Sequence, residues 1–517
     1  MQILEDSDMY KIPFQWRVKG YITMIEIEER YELMYDFENN SKLYDFRFKD
    51  TGIPMWMYIR ANYINRIVDR EVYKQYQHIW NKDRRDEIVL KKSLLEKYIT
   101  KNPFLTCKKD ILFAFWSYSE LRQHDGGFVY EDFIMPFLKV FPKNTSTLMT
   151  GSIVNKYEKN CLHPNWKMDD IFMDMLRVTG CLKRKKDICD EDRKNIHGLI
   201  NFLNRNCPLQ IYEDIIKEIG YSLEHISCYS KQMIKICQSY LSILNPKVVI
   251  ICCASYPSLL RTSMILACRN RKIKTAELQH GLNSKYHVNY QFCDYILNNT
   301  ECRKMLPDYY LTFGKYWNNI IKVPYKCYVI GYAKTLLKEL IPNNNKILFC
   351  ADIDFDRYID FLDKIIQKLD IEIYFRFHPR YSSKQQRDKF KKYFNYSNFF
   401  EADEKDLSFY MKDCRYVIAD GSTVCYEALS MGRIVFSFES KSSIKMGVNK
   451  LSDVHLITNA NDFMVLWNER DKLQSRCHDE FFNLNYKENY IKFLKKCGVD
   501  ITSYKVSRRR VAKNERK

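Results

Sequence analysis

At 517 residues the chain is long enough for two or three domains, and a hydrophobic share of 46% excludes a disordered protein. The 18 cysteines include no C-x-x-C pair, which argues against a zinc ribbon or a disulfide framework and for reduced thiols. A net charge of +19 makes the surface attractive to polyanions such as nucleic acid, anionic lipid or nucleotide-activated substrates, or serves solubility alone.

The first residues, M-Q-I-L-E-D-S-D-M-Y-K, carry acids where a signal peptide needs basic residues. The longest uncharged apolar run, Val248 to Leu260, is broken by Pro257 and is too short to span a bilayer. A cytoplasmic protein is expected, at most peripheral on the inner face of the plasma membrane. The basic tail Ser507 to Lys517 is the segment that would meet anionic lipid.

Residues 1–106 read as a helical N-terminal extension. Trp56, Ile59, Tyr63, Ile67, Val72, Tyr76 and Ile79 recur at helical spacing, and Lys91 to Tyr98 suggests a second helix. Residues 107–330 read as a first Rossmann-like domain. Ile111 to Trp116 is its first strand, and the turn beyond carries His124 and Asp125 before Gly126-Gly127. Ser146 to Met149 is a weaker strand, and 165–245 is mostly helical. Lys247 to Cys253, Ser258 to Arg271 and Ile273 to Leu278 form a strand–helix–strand unit ending in Gln279-His280-Gly281. Strand-like runs follow at Tyr295-I-L-N-N, Tyr309 to Gly314 and Tyr325 to Tyr332.

Residues 331–465 repeat the pattern. Ile347 to Ala351, Phe355 to Leu369 and Ile371 to Phe377 form a second such unit, ending in His378-Pro379-Arg380. A basic helix (Lys384 to Phe394), a short strand at Phe399 and a short helix (Leu407 to Met411) follow. Tyr416 to Ala419 is a buried strand, Asp420-Gly421-Ser422-Thr423 a tight turn, Val424 to Met431 a helix and Ile434 to Phe438 another strand. Gly421 permits a conformation that a β-carbon forbids, and Ser422 or Thr423 can cap the helix, whose free N–H groups suit a phosphate. Glu427 lies one turn further in, within reach of a ribose hydroxyl. Residues 466–517 read as C-terminal helices and the tail.

Asp352-x-Asp354-x-Asp356 resembles a metal loop, but Arg357 stands where a calcium loop needs glycine, and acids at a helix start favour its dipole. No metal and no cofactor are expected. Parallel α/β sheets bind ligands outside the carboxyl ends of their strands, where His280, His378 and the Gly421 turn all fall.

The set E-L-Q-H-G, F-R-F-H-P-R and D-G-S-T-V-C-Y-E-A-L-S-M-G-R-I-V resembles the GT-B-fold glycosyltransferases of bacterial surface polysaccharide assembly. It is also similar to the sialyltransferases and CDP-glycerol glycerophosphotransferases that carry an H-P pair and a following serine turn. The likeness covers about 247–440. It implies an α/β fold of two Rossmann-type parallel-sheet domains facing a cleft, and transfer of a sugar from a nucleotide donor to a capsule- or lipopolysaccharide-type glycan or lipid-linked acceptor. By this resemblance His378 touches the donor nucleotide, Ser422 and Thr423 hold its phosphate, Glu427 binds ribose and His280 is the base, although Gln279 stands where the relatives have tryptophan. Arg380 suits the departing phosphate. Glu277 is an alternative base, and His124 with Asp125 are acceptor-side candidates. The competing readings are a nucleotide-sugar epimerase of the same architecture, a glycerophosphotransferase and, last, a basic nucleic-acid-binding protein. No nucleic-acid partner is expected, because no RNA-recognition or zinc signature is present.

Overall fold

The computed structural model describes residues 24–70, 99–117, 122–123, 129–130, 134–150, 165–179, 188–333, 342–352, 354–378, 383–403, 407–474 and 476–501. Its framework is two parallel sheets. The first holds β1 (Ile111–Ser117), β2 (Thr145–Thr150), β3 (Trp166–Met168), β4 (Val248–Ile251), β5 (Lys274–Leu278), β6 (Tyr309–Thr312) and β7 (Lys326–Val329), in the order 3-2-1-4-5-6-7. The second holds β8 (Lys346–Cys350), β9 (Glu372–Arg376), β10 (Phe399–Glu401), β11 (Tyr416–Ala419), β12 (Ile434–Phe438) and β13 (Val454–Ile457), in the order 10-9-8-11-12-13. Every pairing in both is parallel. The expected pair of Rossmann-type domains is therefore present, each with the doubly wound strand order.

The central strands are continuous apolar runs because helices cover both faces. All four residues of β4 and of β11 are buried. Ser258 caps the helix after β4 by accepting from Arg261 N, a bond worth about 1 kcal/mol. Strand order reverses between β1 and β4, and again between β8 and β11. Cys252-Cys253 leaves the first switch point, and Asp352 and Asp420-Gly421 leave the second.

In the N-terminal extension, α1 (Met24–Glu38) and α2 (Met55–Val68) share one core with residues 196–226 and with 286–306 of the first domain. Trp56, Ile59, Tyr63 and Ile67 are buried as the periodicity requires; Val72, Tyr76, Ile79 and the helix expected at Lys91 to Tyr98 lie outside the described residues. A 32-residue helix, Glu213–Leu244, stops at Asn245 in the left-handed conformation (φ 51°).

Two expectations need correction. Tyr295 to Asn298 are helical, within Asp294–Asn298, and Asn299 is the extended residue that ends the helix, because Asp294 opens the helix and only Ile296 is fully buried. Three apolar residues do not separate helix from strand. The helical reading of 466–494 holds only at its two ends. Between Asn468 and Tyr486 the chain makes one 3-10 turn and crosses back to the first domain, where Asn483 N donates to Phe313 O and Tyr332 N donates to Asn483 O. Phe481 and Phe482 fill a core shared by Trp317 and Tyr332 of the first domain and Val417 and Tyr426 of the second. The last helix, Tyr486–Lys496, packs beneath the first sheet against Ile111 and Val248.

Among the described residues no helix is long and apolar enough to cross a membrane.

Candidate functional site

Just past β4, Cys253 bends the chain (φ 51°), and its Sγ lies 3.3 Å from His280 Nε2 and 3.6 Å from Cys252 Sγ. His280 stands in the turn after β5. That turn is fixed from beneath by Gln279, wholly buried, whose Oε1 accepts from Phe313 N (2.8 Å) and whose Nε2 donates to Gly281 O (2.9 Å). The Cys252 thiol, the His280 ring and Arg261 outweigh burial and hold the Cys253 thiol well below the ordinary thiol range.

A second histidine completes this edge. His287 Nδ1 donates to Leu282 O (3.1 Å), so its Nε2 accepts from Tyr256 Oη. That tautomer is neutral, and burial, with His280 nearby, pushes His287 down to about 4. Lys445 of the second domain acts on it from across the crevice, and Ser284 Oγ donates to the Lys445 carbonyl. The sequence singled out neither Cys253, His287 nor Lys445.

Glu277 is not in the open crevice. It is fully buried: Oε2 accepts from Ser255 N (2.9 Å) and Ser255 Oγ (2.6 Å), and Oε1 accepts from Tyr290 Oη (2.7 Å). Burial first, then Cys253, pushes its carboxyl up to about 7 against those hydrogen bonds.

At the second switch point Ser422 caps α3 (Thr423–Ser430), accepting from Val424 N. Ser422 and Thr423 are half-exposed. Gly421 (φ 55°) is needed for packing as well as for the turn, since a β-carbon there would lie 2.5 Å from the Ser442 backbone. Two carboxyls flank the turn, Asp420 buried and Asp352 half-buried. Asp420 accepts from Ser440 Oγ, and Asp352 accepts from Ser442 Oγ (3.4 Å). Burial, then Asp420, pushes Asp352 up to about 7, so one proton is retained near neutrality. Of the three acids in the Asp352 run, Asp354 is the cap, accepting from Arg357 N, and Asp356 pairs with Lys389 (2.7 Å). Among the described residues no group of three or more His, Cys, Asp or Glu side chains is placed to hold a metal.

Glu427, buried, accepts from Tyr332 Oη of the first domain. His378 is half-buried just beyond β9. Arg380, His124 and Asp125 lie outside the described residues. The structure thus gathers His280, Cys253, His287 and Lys445 at one strand edge, and Ser422, Thr423, Asp352 and Asp420 at the other. A His–thiol pair can hold or move a proton; a capped helix start can receive an anion.

No family model matches the chain, and no curated protein does. Among solved structures it is similar to the UDP-GlcNAc 2-epimerase of Neisseria meningitidis bound to UDP-GlcNAc, at 12% identity and a TM-score of 0.43, over 75% of this chain and 100% of that one. It is similar to the UDP-GlcNAc 2-epimerase of Methanocaldococcus jannaschii in complex with UDP-GlcNAc and UDP (12%, TM-score 0.42, 75% and 99%). A third likeness is to MurG of Acinetobacter baumannii (9%, TM-score 0.38, 75% and 95%).

Proposed function

We propose that the protein is an enzyme acting on a nucleotide-sugar held between its two sheets. The observation that carries this reading is the meeting of both switch-point edges, with Ser284 bonded to Lys445 across the crevice. In this reading the start of α3, with Ser422 and Thr423, receives the donor phosphate, while Arg380, His378 and Lys445 offset its charge without a metal. Glu427 reaches a ribose hydroxyl by releasing Tyr332. With its Nε2 proton passed to Cys253, 3.3 Å away, His280 takes a proton from the attacking group, and Glu277 holds the wall behind it through Ser255 and Tyr290.

The motif set favours glycosyl transfer to a surface glycan or lipid-linked acceptor. A second reading, a nucleotide-sugar epimerase, is favoured by the Ser284–Lys445 tie that bridges the domains, because a self-contained substrate leaves it in place.

A thermal-shift screen against CMP, CDP, UDP, GDP and their sugars tests the shared claim. A ligand at 100 times its Kd adds about 2.7 kcal/mol to native-state stability. Ser422→Ala is expected to weaken the shift by roughly 1–3 kcal/mol. His280→Ala keeps the shift and lowers turnover by about 10²-fold. Incubating the stabilising nucleotide-sugar alone separates the finer readings: an epimerase converts it without an acceptor, and a transferase does not. If no nucleotide raises the melting temperature, the proposal is wrong.

A further inference from the structure

We propose that Cys253 is a thiolate paired with the His280 imidazolium, and that it is a site of covalent modification by small disulfides and soft electrophiles.

The placement is specific. Cys253 is the second residue past β4, at the first switch point, and it is half-buried, unlike the enclosed Cys252 beside it. Its Sγ is within contact of two side chains that favour a thiolate, the His280 ring at 3.3 Å and the Cys252 thiol at 3.6 Å. Arg261, in the helix that follows, adds positive charge from a third element. The opposing groups are few. Glu277 is a buried carboxyl pushed up toward neutrality, so it repels the thiolate less than an ordinary glutamate would. Tyr256 and Tyr290 are held in their phenol forms by burial, and His287 is held neutral. Cysteines elsewhere show the contrast: burial pushes Cys207 and Cys327 up to about 11 and Cys302, Cys414, Cys425 and Cys497 up to about 12. Thiolates, not thiols, attack disulfides and electrophiles, and cationic neighbours are what make a cysteine reactive.

The chemistry balances. The Cys253 thiolate attacks one sulfur of a low-molecular-weight disulfide, a new S–S bond forms and the old one breaks. The departing thiolate takes the proton from the His280 imidazolium and leaves as a thiol. Cys253 is oxidised and the reagent's other half is reduced. Excess small thiol reverses the exchange. A group on Sγ would occupy the space beside His280 Nε2, so thiolation silences whatever proton transfer His280 performs. The thiolate assignment itself does not depend on the nucleotide-sugar reading.

The test is pulse alkylation of the full chain with iodoacetamide from pH 5.5 to 9, with each cysteine peptide quantified by mass spectrometry. The labelling rate of Cys253, scaled to its own high-pH plateau, should have its midpoint at least about one pH unit below the ~8.5 of a free cysteine. The exposed Cys107, Cys189 and Cys477 serve as internal references. His280→Asn should raise the midpoint of Cys253 by about one unit and leave the references in place. Arg261→Gln, remote from the strand turn, should raise it by less, and it keeps the test valid if the histidine variant misfolds. A Cys253 midpoint at or above ~8.5, failure to label at any pH, or a midpoint indifferent to both substitutions would overturn the proposal.

Discussion

Glu277 and His280 are three residues apart on one strand end, yet the fold gives them opposite surroundings. A base needs access and an open lone pair. Glu277 has neither, because Ser255 and Tyr290 occupy both oxygens and no part of it reaches solvent. What it does carry is a pH signature. Its carboxyl sits at about 7 when folded, against 4.5 for a freely exposed glutamate, so the folded state binds a proton that the unfolded chain has already released. Stability from this group is therefore present below about pH 4.5 and is lost as pH rises from there to about 7. The full loss is about 3 kcal/mol. Urea unfolding of the wild type and Glu277→Gln at pH 5 and 7.5 should show the wild type losing more stability by an appreciable part of that amount. Parallel pH dependence in the two proteins would show that Glu277 ionises freely.

At the level of elements, the turn between β11 and α3 was the most legible part of the chain. An apolar run, then D-G-S-T, then a helix and another apolar run left one arrangement open, and the strand limits Tyr416–Ala419 and Ile434–Phe438 match the reading. The alternation of such units also foretold two parallel sheets. What the sequence did not show is which strand ends meet. Cys253 and His280 are 27 positions apart and belong to different turns; only the adjacency of β4 and β5 joins them. Lys445 was hidden for the same reason, since it reaches the crevice from the other domain. A rule that every residue just past a central parallel strand is a candidate would have found Cys253. The Gly421 turn also carries more load than a phosphate loop needs, because Ser442 packs against it. Gly421→Ala should cost about 2–4 kcal/mol, from a left-handed backbone bearing a β-carbon and from the clash with Ser442. Chemical denaturation measures it, and a loss under 1 kcal/mol would mean that the 440–442 segment yields easily.

Across the whole molecule, the N-terminal helices act as a brace for the crevice. Arg60 of α2, 2% exposed, makes a two-pronged pair with Glu38 at the end of α1, both bonds at 2.6 Å, and Trp56 Nε1 donates to the same carboxylate at 2.7 Å. Two further Arg60 donors go to the Val288 and Gln291 carbonyls, at 2.8 and 2.9 Å. Those carbonyls flank Tyr290, which bonds Glu277, and follow His287, which bonds Tyr256. One guanidinium thus joins the extension to the loop that shapes the first strand edge. The Glu28–Lys450 pair, at 3.7 Å with Lys450 exposed, ties α1 to the second domain but adds little, as surface pairs do. Arg60→Met leaves a buried carboxylate without its counter-charge and should cost about 3–5 kcal/mol. Adding Glu38→Gln removes that charge while keeping an acceptor for Trp56, so the double variant should recover part of the loss. The brace also predicts a local effect. In Arg60→Met, amide hydrogen exchange should quicken at 287–293 more than in β8 to β13, since the carbonyls at 288 and 291 lose their donor. Uniform quickening across both sheets would reduce Arg60 to a general stabiliser, and strictly additive losses in the two substitutions would deny the coupling on which the brace depends.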